Sequence, residues 1–80
     1  MNDRQARIVS ILASVRPEHD FRGSEDYIAD QLLDSFDVMT FVSEVEKSLG
    51  IVIDGVDIVP EHFRSLQTIE TLLDRYGVGR

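Results

Sequence analysis

The chain contains no cysteine and no tryptophan, and its 8 basic residues are far fewer than its 15 acidic ones. Without cysteine there is no disulfide framework and no cysteine-ligated metal site, which is typical of cytoplasmic proteins. No apolar run approaches the ~18 residues of a membrane span, so the sequence predicts no transmembrane segment. The net charge of −7 argues against nucleic acid, whose phosphates are bound by lysine and arginine, and favours basic protein partners. We expect a cytoplasmic monomer.

Helical signals dominate what is present, and no pair of strand signals accompanies them. Apolar residues at helical spacing, with suitable caps, predict four helices: about 3–15, 35–49, 59–63 and 66–76. The third is short and begins near Pro60, a residue suited to the first helical position. The connection 16–34 carries too many apolar residues for a flexible linker, so we expect it to pack across the helices. The sequence thus predicts one all-α domain, 1–80.

Ser35 lies where this polar connection gives way to the helix predicted over 35–49. Backbone N–H groups in the first turn of a helix have no intrahelical partner, and the helix dipole is positive there. A phosphate ester on the Ser35 hydroxyl would therefore be stabilised. Asp34 and Ser35 are also ordinary N-cap residues, so the pair can simply mark a helix start. Counted from Ser35, no capping box is expected, because Val38 follows three residues later.

Two apolar side chains of the same helix, Phe36 and Met39, fall away from its core stripe. At about 100° per residue they share the side that carries Thr40, Ser43 and Lys47. One exposed apolar residue has little meaning, but two beside a candidate reactive serine predict a surface that partners contact. The stripe itself consists of Val38, Phe41, Val42, Val45 and Leu49.

The segment Leu32-Leu33-Asp34-Ser35-Phe36 resembles the Asp-Ser-Leu or Asp-Ser-Met motif of the acyl carrier and peptidyl carrier protein family. The resemblance extends through the length, the acidity and the helix order of nearly the whole chain. It implies a four-helix bundle of the acyl-carrier type, with three longer helices, a short third helix and a long first loop. It also implies that Ser35 carries covalent 4′-phosphopantetheine, whose thiol holds cargo as a thioester, and that Asp34 and Phe36 complete the attachment motif.

The resemblance further implies a set of partner enzymes. A phosphopantetheinyl transferase would attach the arm, and a cargo-activating ligase or acyltransferase and downstream enzymes would dock through basic surfaces. The segment 34–61 suits such partners, because it holds seven acids and one base, Lys47. The residues predicted to face partners are Phe36, Asp37, Met39, Glu44, Asp54 and Asp57.

The cargo is open between acyl and aminoacyl groups. The motif is similar to that of D-alanyl and other stand-alone aminoacyl carriers, and Phe36, Thr40 and Ser43 depart from carriers of primary fatty acid synthesis. We expect a free-standing carrier in fatty acid or secondary metabolite biosynthesis. Gln31 stands where family members often have glycine. A second class of function is an unmodified helical interaction module, in which Ser35 is only a cap and exposed apolar residues enter a partner groove.

Independent catalysis is not expected. Ser35 lacks the Gly-x-Ser-x-Gly context of a nucleophile elbow, and the two histidines lie in separate loop-like regions. Asp34 and Asp37 are predicted to be ordinary solvated carboxylates. The run from Asp54 to Asp57 lacks the ligand spacing of a calcium-binding EF-hand loop, so it is predicted to be a plain turn with no metal.

Overall fold

The structure, a computed structural model, describes residues 2–78. Over that range the protein has only helical elements and no β-strand, which confirms the predicted all-α class. No helix of this part of the chain has the length and apolar character needed to cross a membrane. The three α-helices are α1 (Asp3–Val15), α2 (Ser35–Leu49) and α3 (Leu66–Arg75). Two short 3₁₀-helices, Gly55–Asp57 and Pro60–Phe63, lie between α2 and α3.

The bounds of the helices follow from local side-chain chemistry. Asn2 caps α1 by accepting the N–H of Gln5 at 2.8 Å, and the Gln5 side chain accepts the N–H of Asn2 at 3.0 Å. α2 ends at Gly50, which adopts the left-handed conformation with φ +67°. The short helix predicted over 59–63 is a 3₁₀-helix that begins at Pro60. α3 ends one residue before the predicted limit.

α2 and α3 both run in the direction opposite to α1. The Nε of Arg16, just past the end of α1, lies 3.6 Å from the carboxylate of Asp37 at the start of α2. α1 and α2 are therefore antiparallel. Arg4, in the first turn of α1, donates to Asp74 near the end of α3, so α3 is also antiparallel to α1.

One apolar core joins the three helices to the second 3₁₀-helix. The rings of Phe41 in α2 and Phe63 meet edge to face with centroids 6.0 Å apart, a favoured aromatic geometry. Full burial of side chains of this size contributes roughly 1.5–3 kcal/mol each. The buried apolar residues of the helices are Ile8, Ile11, Leu12, Val38, Phe41, Val42, Val45, Phe63, Ile69, Leu72 and Leu73.

The long connection between α1 and α2 packs on this core, as its apolar content predicts. Phe21 and Tyr27 are buried and meet edge to face, with ring centroids 5.1 Å apart. Leu33, just before α2, is also buried. The loop is further fixed by the Tyr27 N–H, which donates to the carbonyl of Arg64 before α3. This packing holds the residues that precede Ser35 in place.

Gln31 takes a conformation that side chains other than glycine rarely adopt, with φ +62°. Glycine adopts this conformation without steric cost, whereas the Cβ of any other residue crowds the backbone there. The residues that follow are held by two hydrogen bonds, from the N–H groups of Leu32 and Leu33 to the Tyr27 carbonyl, at 2.8 and 3.1 Å. Tertiary packing therefore keeps the loop path in spite of the glutamine.

Candidate functional site

Asp34, and not Ser35, is the N-cap of α2. Its carboxylate accepts the N–H of Asp37 at 2.8 Å, and the Asp37 carboxylate accepts the N–H of Asp34 at 3.2 Å. The two side chains form a capping box, with aspartate in the position that glutamate or glutamine usually occupies. The expectation that no capping box exists was wrong, because it was counted from Ser35, one residue too late.

This cap leaves Ser35 free for other chemistry. The residue is exposed at the first position of α2, and within residues 2–78 its hydroxyl has no hydrogen-bond partner. The capping box uses the N–H groups of Asp34 and Asp37. The N–H groups of Ser35 and Phe36, which lie between them, have no acceptor among residues 2–78. An exposed hydroxyl beside two unused N–H groups at a helix N-terminus fits a phosphate ester on Ser35.

Asp37 does not have the solvated carboxylate that the sequence predicted. It is only 7% exposed, and its oxygens face the backbone of Asp34 and the guanidinium of Arg16. Its assignment to the partner-facing surface is therefore corrected, since a side chain held inside the helix cap offers little area to another protein. Asp34, in contrast, is exposed.

Phe36 and Met39 are exposed, at 77% and 55%, as their positions around the helix predict. Two further exposed apolar residues, Val52 and Val56, were missed by the sequence reasoning. For Val52 the signal was present, because in an extended segment neighbouring side chains point to opposite sides, and the next residue, Ile53, is buried. Contact of Phe36 and Met39 with partners stays a prediction.

The other acids predicted to face partners differ in their surroundings. Glu44 is partly exposed and lies 3.9 Å from Lys47 on the same helix. Asp54 is exposed and accepts the N–H of Val56 at 3.2 Å, which caps the first 3₁₀-helix. Both remain accessible to a basic partner. Among residues 2–78, no group of three or more histidine or acidic side chains is arranged to hold a metal ion.

The Asp57 carboxylate is instead bound by side chains of the same chain. The Tyr76 hydroxyl donates to its carboxylate at 2.5 Å, and Arg75 donates at 3.0 Å. The hydrogen bond from Tyr76, assisted by the charge of Arg75, lowers the pKa of Asp57 below its ordinary value. The same bond raises the pKa of the Tyr76 hydroxyl. The prediction that Asp57 faces partners is corrected, because both carboxylate oxygens are already bound within the chain.

A cavity of about 430 Å³ lies between the first loop and the start of α2, and Ser35 is not among its lining residues. Arg16 is the one cation among its six lining residues, and sequence reasoning gave this residue no role. Its position could have been inferred from an antiparallel α1 and α2, which brings the end of α1 to the start of α2. The cavity is lined by Arg16, Ile28, Gln31, Leu33, Asp34 and Asp37.

Comparison with known proteins does not add to this geometry. No protein-family model, curated protein or solved structure matches the chain.

Proposed function

We propose that the protein is a carrier that holds acyl or aminoacyl cargo as a thioester on a 4′-phosphopantetheine arm attached to Ser35. The observation that supports this most is the free Ser35 hydroxyl, exposed at the first turn of α2 while Asp34 provides the cap. The alternative, an unmodified interaction module, takes Ser35 to be only the helix cap, but the cap of α2 is Asp34. The Asp34-Ser35-Phe36 motif and the all-helical fold agree with the same proposal.

In the attachment reaction the Ser35 oxygen is the nucleophile. A bond forms between Oγ and the phosphorus of the coenzyme A pyrophosphate that bears pantetheine, and the bond from that phosphorus to the adenosine 3′,5′-bisphosphate leaving group breaks. The hydroxyl proton passes to a base of the transferase. The first-turn N–H groups of Ser35 and Phe36 lie where they favour the negative charge of the resulting phosphodiester. The arm then supplies the thiol that binds cargo.

Partner enzymes are proposed to contact the exposed side of α2 and the segment that follows it. Phe36 and Met39 offer apolar area, and Glu44 and Asp54 offer negative charge to basic docking surfaces. Surface charges of this kind mainly raise the rate of encounter and leave each complex weak. Weak complexes suit a carrier that must visit a transferase, a cargo-activating ligase or acyltransferase, and downstream enzymes in turn.

We also propose that the helices form a four-helix bundle of the acyl-carrier type. The three α-helices and the 3₁₀-helix Pro60–Phe63 correspond to the three longer helices and the short third helix of an acyl-carrier bundle. The choice of cargo stays open between acyl and D-alanyl-like aminoacyl groups.

Intact-protein mass spectrometry tests the function directly. The protein is incubated with a phosphopantetheinyl transferase, coenzyme A and magnesium, and one phosphopantetheine should be added. Ser35→Ala should abolish the addition, while its free energy of unfolding changes by less than about 0.5 kcal/mol, because Asp34 keeps the cap. Ser43→Ala is the matched control, since Ser43 is also an exposed serine of α2, and it should be modified normally.

Two results would contradict the proposal. Modification that persists in Ser35→Ala would place the arm elsewhere, and a wild-type protein that no transferase modifies would favour the unmodified interaction module. Folding of each variant is checked by circular dichroism.

A further inference from the structure

We propose that Asp37, held by Arg16, keeps the Ser35 hydroxyl free for modification. The two side chains do so by fixing the helix start at Asp34, so that Ser35 is not used as the N-cap. Both act through the helix start and are therefore positioning residues. The link to modification rests on the proposed function, whereas the choice of cap is a property of the unmodified protein.

Two residues that can cap α2 stand next to each other in the chain. Aspartate and serine have about equal preference for the N-cap position, so this preference does not choose between Asp34 and Ser35. With Ser35 as the cap, its hydroxyl would accept the N–H of Val38, three residues later. In the structure that N–H instead donates to the Asp34 carbonyl at 3.0 Å. A further interaction must therefore fix the helix start.

Asp37 provides that interaction. Counted from Asp34 it is the third helical residue, and its Oδ2 accepts the Asp34 N–H at 3.2 Å. Counted from Ser35, the third residue is Val38, whose side chain has no acceptor. A shift of the cap to Ser35 would lose both hydrogen bonds of the capping box, of 2.8 and 3.2 Å, and would gain one in return.

Arg16 supports the buried position of Asp37. Its Nε lies 3.6 Å from the same Oδ2 that accepts the Asp34 N–H. A buried carboxylate is costly without a partner cation, and among residues 2–78 Arg16 is the cation that pairs with Asp37. Arg16 also lies 3.5 Å from Glu18, but the Glu18 side chain is 57% exposed, so water can solvate it.

The end of α1 places Arg16 where it can reach Asp37. The Arg16 N–H donates to the Leu12 carbonyl at 3.0 Å, so the base of the side chain is tied to the helix. Because α1 and α2 are antiparallel, the guanidinium reaches the first turn of α2. An ion pair of this length and exposure is weak, so we expect Arg16 to contribute less than Asp37.

The choice of cap matters because the transferase needs a free Ser35 oxygen. As a cap, that oxygen would be held against the N–H of Val38, and this bond would have to break before the oxygen attacks phosphorus. Only the molecules capped by Asp34 are then ready to react. A smaller ready fraction raises the apparent KM and leaves kcat unchanged, because the transferase binds the ready form.

Nuclear magnetic resonance of the apo protein tests the choice of cap. The ¹³Cα and ¹³Cβ shifts of Ser35 distinguish the first helical position from the extended backbone of an N-cap. In Asp37→Ala these shifts should move toward N-cap values, and hydrogen exchange of the Asp34 amide should become about five-fold faster. In Arg16→Gln the exchange should become about two-fold faster. Arg22→Gln is the matched control, because Arg22 is an exposed arginine that pairs within the first loop.

Transferase kinetics test the link to modification. Asp37→Ala should raise KM for the carrier about five-fold and Arg16→Gln about two-fold, with kcat unchanged. Loss of a cation facing a basic partner would by charge alone lower KM, so an increase in Arg16→Gln is specific to the helix start. Adding Arg16→Gln to Asp37→Ala should change KM no further, because Arg16 acts through Asp37. Arg22→Gln should match wild type.

Circular dichroism establishes that the variants fold, and Asp37→Asn is a second variant that keeps an acceptor without the charge. It should behave as Arg16→Gln does. Ser35 shifts that keep their wild-type values in Asp37→Ala overturn the proposal, as do KM effects of Arg16→Gln and Asp37→Ala that add in the double variant. An unchanged protein mass after the transferase reaction overturns the proposed function and the link to modification, whereas the Ser35 shifts still decide the choice of cap.

Discussion

The two arginines at the ends of α1 differ in how many hydrogen bonds their side chains make. Arg4, in its first turn, is 3% exposed, and its two terminal nitrogens make three hydrogen bonds of 2.6–3.2 Å, to Asp74, Glu70 and the Val78 carbonyl. Arg16, just after its last turn, has only contacts of 3.5–3.6 Å. Both have a buried Nε without a hydrogen-bond partner. An unpaired Nε alone therefore does not identify a binding site.

This contrast extends to the two ends of the molecule. The terminal end, formed by the start of α1 and the ends of α2 and α3, holds the hydrogen-bond networks around Arg4 and Tyr76 and a cavity of about 470 Å³. The Ser35 end, about 18 Å away along α1, has an exposed serine, exposed apolar side chains and a partly satisfied arginine. Polar groups at the terminal end make short hydrogen bonds within the chain, whereas among residues 2–78 the side chains of Ser35 and Arg16 make none shorter than 3.5 Å.

The largest effect on stability is expected at Arg4. Burial alone would lower its pKa, but hydrogen bonds to Asp74 and Glu70 raise the pKa above its ordinary value, so the cation persists. Arg4→Gln would leave those carboxylates without their cation. We expect urea unfolding to show a loss of about 2–4 kcal/mol. Arg7→Gln, an exposed neighbour on the same helix, should change stability by less than about 0.5 kcal/mol.

A loss of similar size in Arg16→Gln would break the comparison between the two ends. It would show that Arg16 fixes the first loop as firmly as Arg4 fixes the helix ends. Equal and small losses in both variants would show that the terminal network is solvated and contributes little.

A smaller and pH-dependent effect is expected from Tyr76→Phe, which removes the hydrogen bond to Asp57. The folded-state pKa of Asp57 lies below its ordinary 3.8, so its contribution is present above that pH and is lost as pH falls through the lower value. The folded-state pKa of Tyr76 lies above its ordinary 10.0, so its contribution is lost as pH rises through the higher value. The stability difference between wild type and Tyr76→Phe should therefore shrink at both extremes.

Urea midpoints measured from pH 3 to pH 11 check this behaviour. Arg75→Gln provides a second test, because that variant keeps the hydrogen bond between Tyr76 and Asp57. Its stability should still fall at alkaline pH, as the Tyr76 hydroxyl ionises. A wild-type advantage that is constant over the whole range would mean that the Tyr76 hydroxyl and the Asp57 carboxylate do not interact.

Much of the fold could be predicted because its signals are local. Apolar spacing and the caps at Asn2 and Gly50 are properties of neighbouring residues, and they define α1 and α2. The 3₁₀ character of Pro60–Phe63 could not be predicted, since apolar spacing does not report hydrogen-bond geometry. The left-handed conformation of Gln31 depends on packing around Tyr27 and is invisible in the local sequence.

Some features of the candidate site could likewise be predicted from the sequence, and others could not. Ser35 at the helix start and the outward positions of Phe36 and Met39 follow from helix periodicity. The burial of Asp37 was missed because it depends on which residue is the cap, and a shift of one residue changes that answer. The cavity and its Arg16 wall depend on contact between residues far apart in the chain. Such contacts require the three-dimensional arrangement.

The smallest effect on stability is expected from the exposed residues of α2. Phe36→Ala and Met39→Ala should each lower the free energy of unfolding by less than about 1 kcal/mol, because their side chains lie mainly in solvent. Phe41→Ala is the matched control on the buried face of the same helix, and it should lose about 3–5 kcal/mol. Loss of an anchor contact should still reduce kcat/KM for transferase modification about ten-fold in Phe36→Ala. A large stability loss with unchanged kinetics would mean that Phe36 belongs to the scaffold and that partners bind elsewhere.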